Sequence, residues 1–461
     1  MKPPFDIAAD LDTPVSAYLK LQPLQPRFLL ESVEGGERQA RYSFIGFGGG
    51  EDLLLDGAGL QMGGKRQPRP NSREAVLDAL RGALERAPQP RAEGGACPFA
   101  GGLVSVASYD LVRDFEGQSL PPLPPGAGPE LMATAPRSLL VFDHLTRRAA
   151  VFHDGSEAER RSLRREVETA LRSTTVRTRA GRPPSPVEAS FTPGAFEAAV
   201  RRVQGEITAG EVYQLVLSIR FSGRCDVDPF QVYRALRLFN PSPYMYTCTF
   251  GERTVIGSSP EALVRLDGRR ATLCPIAGTR PRGADEAEDR RLEEELLADP
   301  KEAAEHVMLV DLARNDLGRV AVPGTVRVDP SRIIERYSHV MHLVSGVEGV
   351  LLPDADAFDL FAAAFPAGTV VGAPKIRAME LIDELEPVPR GVYAGTVGYF
   401  GHQGKMDQAI AIRTLVLEGD TYTFQAGAGI VADSVPRREY EEVLAKSAVL
   451  RRAMEVAGGE M

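Results

Sequence analysis

Short stretches of alternating hydrophobic and polar residues run along most of the chain and predict many β-strands. A period of two places every second side chain on the same face, so one face is buried and the other is solvated. The predicted strands before residue 173 are 41–47, 52–55, 103–107, 138–142 and 149–152. Those after residue 193 are 214–221, 244–250, 254–258, 393–400, 408–417 and 422–425. Helical patterns separate these strands, and many antiparallel strands with helices packed over them are typical of an α+β fold.

The clearest interruption of these patterns lies at residues 173–193, which mix Ser, Thr, Arg, Gly and Pro without periodicity. A helical pattern resumes directly afterwards, with apolar residues at positions 196, 200, 203 and 207. A chain of 461 residues is long for one core. We therefore expect an N-terminal domain at 1–172, a linker at 173–193 and a catalytic domain at 194–461.

Composition narrows the class of protein. The chain is 43% hydrophobic and 25% charged, and its net charge of −9 argues against nucleic acid as the main partner. No apolar stretch approaches the roughly 20 residues that cross a bilayer, and the N-terminus lacks the pattern of a signal peptide. The four cysteines are scattered without C-x-x-C spacing. These features predict a reduced, cytoplasmic protein with no membrane partner.

Candidate chemistry concentrates in residues 425–446. Residues 427–429 (GAG) end an alternating stretch and predict a glycine loop, whose free backbone N–H groups can hold an anion. The helix that begins near Pro436 aligns Glu439, Glu442 and Lys446 beside its apolar stripe. These carboxylates can hold a hard divalent cation. The alternative is an ordinary surface ion pair between Glu442 and Lys446.

A second acidic pair lies near position 300. Asp299 and Pro300 are typical of a helix start, so Glu302 can be read as a capping-box residue. Glu305, one turn later, falls on the apolar face of this helix, where an unpaired carboxylate is expensive. Together with Glu442, it can supply protein oxygens to a Mg²⁺ that keeps waters and a substrate carboxylate.

Two further residues are candidates for binding or proton transfer. Arg413 is expected on a strand face shared with the small residues Ala409 and Ala411, where it can reach a carboxylate; the alternative is an internal salt bridge. His339 and His342 are three residues apart, but no cysteine or third histidine lies near them in the sequence, so zinc is not favoured. One histidine in acid–base work is the functional interpretation, and a hydrogen-bonded core histidine is the alternative.

Motifs for nucleotide phosphates, dinucleotides and a serine nucleophile are absent from the sequence. The residues alone therefore predict a cytoplasmic α+β enzyme that acts on a small carboxylate with Mg²⁺.

With these residues in place, the chain closely resembles the large subunit of anthranilate synthase, within the chorismate-utilising enzyme family. The resemblance covers nearly all of residues 194–455 and extends to 29–46. The matching motifs are GEVYQLVLSIRF (210–221), NPSPYM (240–245), GSSPEALVR (257–265), PIAGTRPRG (275–283), EHVMLVDLARNDLGRV (305–320), FPAGTVVGAPKIRAMELIDELE (365–386), YAGTVGYF (393–400), AIRT (411–414) and LLESVEGGERQARYSFIG (29–46).

The resemblance implies a substrate, chorismate, a cofactor, Mg²⁺, and roles for individual residues. The implied metal-site carboxylates are Glu305, Glu442 and Glu439. The implied catalytic residues are His342, Thr369 and Glu302, with His342 in the neighbourhood of proton transfer. The groups implied to hold chorismate are Gly278, Thr279, Tyr393, Arg413, Lys446 and the backbone of Gly427, Ala428 and Gly429.

Two positions bear on which reaction the resemblance implies. The resemblance implies that water-activating branches of the family carry a lysine at the position where this chain has Gln214. Aminodeoxychorismate synthases commonly carry a nucleophilic lysine where this chain has Ala277, and an alanine cannot attack covalently. Some aminodeoxychorismate synthases lack that lysine, so anthranilate formation is favoured and aminodeoxychorismate synthase is the alternative.

The resemblance also implies feedback inhibition by tryptophan and a partner subunit. Two segments match the family's tryptophan pocket, namely Leu30, Glu31 and Ser32 and then Pro243, Tyr244 and Met245; the alternative is a scaffold role. The chain has no glutaminase nucleophile turn. The implied partner is therefore a glutamine amidotransferase subunit that supplies ammonia, as part of a heterotetramer. A rival from another class is an inert regulatory protein that binds tryptophan or chorismate.

Overall fold

The computed structural model describes residues 5–33, 41–90, 97–116, 120–174, 181, 184–336 and 340–459. His339 lies outside the described residues. So do residues 34–40 of the motif at 29–46, and residues 175–180, 182 and 183 of the predicted linker.

Helices are distributed along the whole described chain. The α-helices are α1 Pro14–Lys20, α2 Arg73–Arg86, α3 Val112–Phe115, α4 Glu157–Leu171, α5 Pro193–Thr208, α6 Pro229–Phe239, α7 Glu286–Ala298, α8 Pro300–Gly318, α9 Ala357–Ala364, α10 Lys375–Leu385 and α11 Pro436–Ala457. Short 3-10 helices occupy Gln22–Leu24, Tyr109–Leu111 and Gly368–Val370. Among the described residues, no helix combines the length and the apolar character that crossing a bilayer requires.

Strands make up the other layer of the fold. In the N-terminal half they are β1 Ile7–Ala8, β2 Phe28–Glu31, β3 Tyr42–Asp56, β4 Gly59–Met62, β5 Lys65–Gln67, β6 Gly102–Ala107, β7 Leu131–Asp143, β8 Arg148–His153, β9 Glu188–Ala189 and β10 Gln214–Arg224. In the middle they are β11 Tyr244–Phe250, β12 Arg253–Ser259, β13 Ala262–Asp267, β14 Arg270–Leu273, β15 Ile276–Pro281, β16 Arg327–Val328, β17 Ile333–Arg336, β18 Val340–Val344 and β19 Val347–Val350. Towards the C-terminus they are β20 Gly372–Ala373, β21 Thr396–Gly401, β22 Lys405–Ile410, β23 Thr414–Glu418 and β24 Thr421–Ile430.

These strands pair only in the antiparallel sense, within the part of the chain that is described. β15, β18 and β17 form a small separate sheet, and the remaining strands are joined into one large network. The predicted α+β class is confirmed. Strands from both predicted domains pair with each other, since β2 lies beside β11 and β6 beside β21. The division at 173–193 stays a prediction.

The longest ladder near the C-terminus joins β10 to β24, and three helices pack over or beside it. α11 packs on β24, with α5 and α6 beside it. Ile219, Phe424, Val443 and Leu450 are all buried in the same apolar core. Each fully buried side chain of this size stabilises the fold by roughly 1.5–3 kcal/mol. This packing fixes where the polar start of α11 lies relative to the ends of the ladder.

The glycine loop predicted at 427–429 is wrong, because these residues belong to β24. Gly427, Ala428 and Gly429 pair with Ser218, Leu217 and Val216 in an unbroken register. A glycine inside a strand often marks a place where another group approaches the backbone closely, and in the sequence alone such a glycine resembles one in a turn.

The single strand predicted at 408–417 is also wrong. β22 ends at Ile410 and β23 begins at Thr414, so Arg413 lies in the break between them. Its φ of 50° is in the left-handed region, so the alternation of side chains along a strand stops before Arg413. Arg413 therefore does not share a strand face with Ala409 and Ala411. The predicted strand 393–400 also begins too early, because Tyr393 lies in a turn before β21. In the N-terminal part, the predicted strands 41–47 and 52–55 are parts of one bulged strand, β3.

Candidate functional site

The end of the β10–β24 ladder is shaped by its two glycines. A Cβ on Gly427 would lie 2.6 Å from the Tyr393 hydroxyl, and a Cβ on Gly429 would lie 2.7 Å from the side-chain nitrogen of Gln214. Any larger residue would displace these two polar groups. Ala428 alternates to the opposite face and is fully buried in the core, so it offers the site only its backbone.

Helix α8 brings acidic residues to this end of the ladder. The Asp299 side chain accepts hydrogen bonds from the backbone N–H groups of Lys301 and Glu302, which confirms the predicted helix start. Glu302 does not close a capping box; its carboxylate pairs with Arg280 at 3.2 Å. Glu305 is half-buried and accepts a hydrogen bond from the side chain of Gln214.

Helix α11 supplies the second acidic group. Lys446 lies 2.7 Å from Glu442 and also donates to the Gly427 carbonyl at 3.2 Å. Glu442 is about half exposed, so the pair alone resembles an ordinary surface ion pair. The bond to Gly427, however, ties Lys446 to the glycine end of β24.

Negative charge accumulates where residues of α8 and α11 are close enough to affect each other's pKa values. Burial raises the pKa of Glu305, and the nearby Glu302 raises it further, while Lys301 and Lys446 oppose the shift. Burial and Glu442 raise the pKa of Glu439. Within the described ranges, no group of three or more His, Cys, Asp or Glu side chains is arranged to hold a metal ion. The raised pKa values indicate a place where an added cation would be favourable.

The small sheet contributes a histidine to the same region. His342 on β18 lies opposite Thr279 on β15, and its Nδ1 is 3.1 Å from both the Thr279 hydroxyl and the Gly278 carbonyl. Because a carbonyl only accepts, Nδ1 carries the proton, and in the neutral ring Nε2 is then the acceptor. Burial lowers the pKa of His342, which favours that neutral form.

Gly278 is required for close packing of this sheet against helices α7 and α8. Its φ is 59°, and an added Cβ would lie 2.7 Å from Leu296 and 3.0 Å from the Glu302 carboxylate. Gly278 and Thr279 are therefore held next to Glu302 and His342.

Glu261 is a candidate residue that the sequence analysis missed. The Thr369 hydroxyl donates to its carboxylate at 2.9 Å. Burial raises the pKa of Glu261 to about 7, although Thr369 and the charge of Arg413 oppose the shift. A carboxyl with this pKa can hold or release a proton near neutral pH. The only signal in the sequence is a carboxylate inside the otherwise uncharged stretch 254–264.

Arg413 and Tyr393 complete the set of predicted residues. The charge of Arg413 lowers the pKa values of both Glu261 and His342, so its guanidinium lies near both. Burial raises the pKa of Tyr393 to about 12, so its hydroxyl remains a hydrogen-bond donor at neutral pH. Hydrogen bonds, close approaches and electrostatic influences thus relate most of the predicted site residues to one another, while their roles stay predictions.

A separate cavity of about 1180 Å³ lies between the parts of the sheet that come from the two predicted domains. The six residues of the predicted tryptophan pocket all line it, namely Leu30, Glu31, Ser32, Pro243, Tyr244 and Met245. They come together because β2 and β11 pair with Glu31 opposite Met245. The Tyr244 hydroxyl donates to Asp407 at 2.8 Å and accepts from Arg265 at 2.8 Å.

Comparisons with known proteins show which family the chain belongs to. A model of the chorismate binding enzyme family matches residues 26–452. The chain is 48% identical over 457 residues to anthranilate synthase component 1 of Thermus thermophilus, covering 97% of this chain and 96% of that protein. It is 44% identical over 475 residues to anthranilate synthase component 1 of Pseudomonas putida, covering 97% of this chain and 94% of that protein.

Solved structures show the same fold. The crystal structure of anthranilate synthase component I from Streptococcus pneumoniae superposes with a TM-score of 0.81 at 35% identity, covering 96% of this chain and 98% of that chain. The isochorismate synthase MenF of Escherichia coli superposes with a TM-score of 0.70 at 20% identity, covering 96% and 91% of the two chains, which speaks for the fold alone. The chain belongs to the chorismate-binding enzyme family, and anthranilate synthase component 1 proteins are similar to it over nearly their full length.

Proposed function

We propose that the chain converts chorismate and ammonia to anthranilate, pyruvate and water. The observation that carries the proposal is that two side chains near Arg413, Glu261 and His342, are suited to donate and to accept a proton, respectively. Glu261 has a pKa of about 7, while burial favours the neutral form of His342. Arg413 nearby and Lys446 at the glycine-lined strand suit a substrate with two carboxylates, whereas the acidic residues of α8 and α11 would need a cation between them and such a substrate.

Each residue has a defined task in this proposal. Arg413, Tyr393 and the N–H groups of the ladder end bind the enolpyruvyl carboxylate. Glu261 donates a proton to the ring hydroxyl as it leaves and ammonia adds. His342 then accepts the ring proton through Nε2 as pyruvate departs, leaving an aromatic ring.

Mg²⁺ is the proposed cofactor. The donor set fits it, because Mg²⁺ is typically held by one or two carboxylates with waters and substrate oxygens. Glu305 and Glu442 would hold it, and Glu439 would add negative charge nearby. The bound ion would polarise the ring carboxylate of chorismate. Lys446 would balance charge at the same end of the site.

Ammonia is proposed to add directly, without a covalent intermediate on the chain. Ala277 has no nucleophile, and the Gln214 side chain is occupied in a hydrogen bond with Glu305 rather than activating water. The name component 1 implies a second component in the relatives. By analogy, we propose a separate glutamine amidotransferase subunit as the source of ammonia, in a heterotetramer.

Tryptophan is proposed to bind the large cavity and to inhibit the enzyme. The support is the volume of about 1180 Å³, ample for an indole and an amino-acid group, and the convergence of both predicted pocket segments on its wall. Arg265 and Asp407 offer opposite charges within this cavity.

The test is incubation of the purified chain with chorismate, Mg²⁺ and an ammonium salt, followed by anthranilate fluorescence and a pyruvate assay. Equal amounts of anthranilate and pyruvate are expected, and glutamine in place of ammonium should give none. A non-aromatic aminated product without pyruvate would favour aminodeoxychorismate synthase instead. No product in a single-turnover experiment would leave the inert regulatory protein as the better explanation.

A further inference from the structure

We infer that Arg390 is a positioning residue for this reaction, holding together three segments that carry proposed substrate-facing groups. The inference rests on the proposed function. The three segments are the start of β10, the 3-10 helix Gly368–Val370 and the turn that contains Tyr393. Arg390 itself touches none of the reacting atoms in this account; it acts through the backbone and side chains that it binds.

The contacts of the guanidinium group are the first support. One nitrogen donates to the Val370 carbonyl at 2.7 Å, directly after Thr369 in the chain. Another donates to the Val216 carbonyl at 2.7 Å, two residues after Gln214. A third side of the group lies over the ring of Tyr393, 5.6 Å from its centre. Three different segments of the site thus meet at one side chain.

The burial of the ion pair is the second support. Arg390 and Glu386 form two hydrogen bonds, at 3.0 and 2.7 Å, with side chains only 1% and 3% exposed. The Glu386 carboxylate also accepts from the backbone N–H and the hydroxyl of Ser218, at 2.9 and 2.7 Å. Replacing a buried ion pair by apolar residues is often neutral or stabilising, so its value for stability alone is weak. Its geometry is better explained by the segments that it orients.

The third support is a link to the N-terminal part of the chain. The Arg390 guanidinium also lies 4.9 Å from the centre of the Tyr109 ring. The next residue, Gly391, accepts from the Tyr109 backbone N–H at 2.7 Å and donates to Asp110 at 2.8 Å. Arg390 therefore couples the site segments to the predicted N-terminal domain as well.

The test compares Arg390→Lys with Arg69→Lys in the ammonium-dependent assay. A lysine keeps the charge, but it cannot make the bidentate ion pair with Glu386 and also donate to both backbone carbonyls. Arg69 is the control, because it also has three protein partners, here two carboxylates and one backbone carbonyl, in a more exposed cluster that takes no part in the proposed site. We expect kcat/KM for chorismate to fall about 10- to 100-fold in Arg390→Lys, mainly through a higher KM for chorismate. The KM for ammonium should be unchanged, and Arg69→Lys should keep wild-type kinetics.

A milder variant, Ser218→Ala, covers the case in which Arg390→Lys does not fold. It removes one hydrogen bond to Glu386 and should raise the KM for chorismate a few-fold, about 3- to 5-fold. The inference is overturned if the folded fractions of both variants have wild-type KM values, or if Arg69→Lys changes the KM equally. An inactive wild-type chain would overturn the proposed function and this inference with it. An active wild type with unaffected variants would overturn this inference alone.

Discussion

The large cavity and the ladder-end site differ in how their polar groups are used. The cavity is spacious, and its central polar groups, Tyr244, Arg265 and Asp407, are bonded to one another. At the ladder end, by contrast, burial raises the pKa values of Glu261 and Glu305. The volume of the cavity indicates that it can hold a whole ligand. The raised pKa values at the ladder end indicate the region that is suited to proton transfer and catalysis.

Two strands connect these regions. β13 and β22 pair so that Arg265 lies opposite Asp407 at the cavity. At their other ends, the Ile410 backbone N–H donates to the Glu261 carbonyl at 3.0 Å, and Arg413 follows three residues later. The two regions are thus distinct in chemistry but share a continuous piece of sheet.

The largest expected effect concerns the acidic end of α11. Glu442→Gln should lower kcat/KM by about 1000-fold, equivalent to about 4 kcal/mol, because it removes a proposed metal carboxylate. The neighbouring Glu441 is also exposed and pairs with Arg437 at 2.9 Å, so Glu441→Gln is a matched control. Steady-state kinetics with varied Mg²⁺ checks the prediction. Equal activity in the two variants would mean that Glu442 is only a surface ion-pair residue.

The next effect concerns Glu261. Glu261→Gln should lower kcat by about 100-fold, since a general acid is lost. In the wild type, kcat at a fixed concentration of free ammonia should fall on an alkaline limb near or above pH 7, and the variant should lack this limb. A wild-type profile that stays flat to pH 9 would remove Glu261 from the role of acid.

The same substitution should change stability in a defined direction. Burial raises the pKa of Glu261 from 4.5 to about 7 in the folded chain, so the folded state binds its proton more tightly than the unfolded state. Its contribution to the free energy of unfolding is complete below about pH 4.5 and is lost as the pH rises through about 7. Glu261→Gln should therefore be more stable than the wild type at pH 8, by up to about 3 kcal/mol. Denaturant unfolding at pH 5 and pH 8 measures the difference.

The smallest effect on catalysis is expected at the cavity. Ser32→Phe places a large ring in the cavity wall, so it should weaken tryptophan inhibition at least about 10-fold. The uninhibited rate should stay within about twofold of the wild type, because Ser32 lines the cavity rather than the ladder-end site. Ser32→Ala serves as the small-residue control. Undiminished inhibition in Ser32→Phe would separate Ser32 from the inhibitor.

Regular patterns in the sequence were sufficient to predict the fold class and several elements. The α5 stripe and the Asp299 cap depend on local spacing, and both are confirmed. The glycines at 427 and 429 were misread because their role depends on Tyr393 and Gln214, which approach from elsewhere in the chain. The break at Arg413 depends on a left-handed backbone that alternation does not reveal.

The candidate site was predictable only in part for the same reason. Glu305 could be singled out because its helix has an apolar face, and the structure places it beside Gln214. Glu261 could not, because its raised pKa depends on burial and on Thr369, which is 108 residues away in the chain. The raised pKa of the Glu261 carboxyl thus results from long-range packing and not from a local sequence pattern.

The most direct test of the division between cavity and site is a calorimetric titration of tryptophan into the Glu442→Gln variant. If the two regions have separate tasks, this variant should bind tryptophan with the affinity of the wild type while forming almost no anthranilate. Loss of tryptophan binding together with activity would contradict that division, since one region would then be serving both purposes.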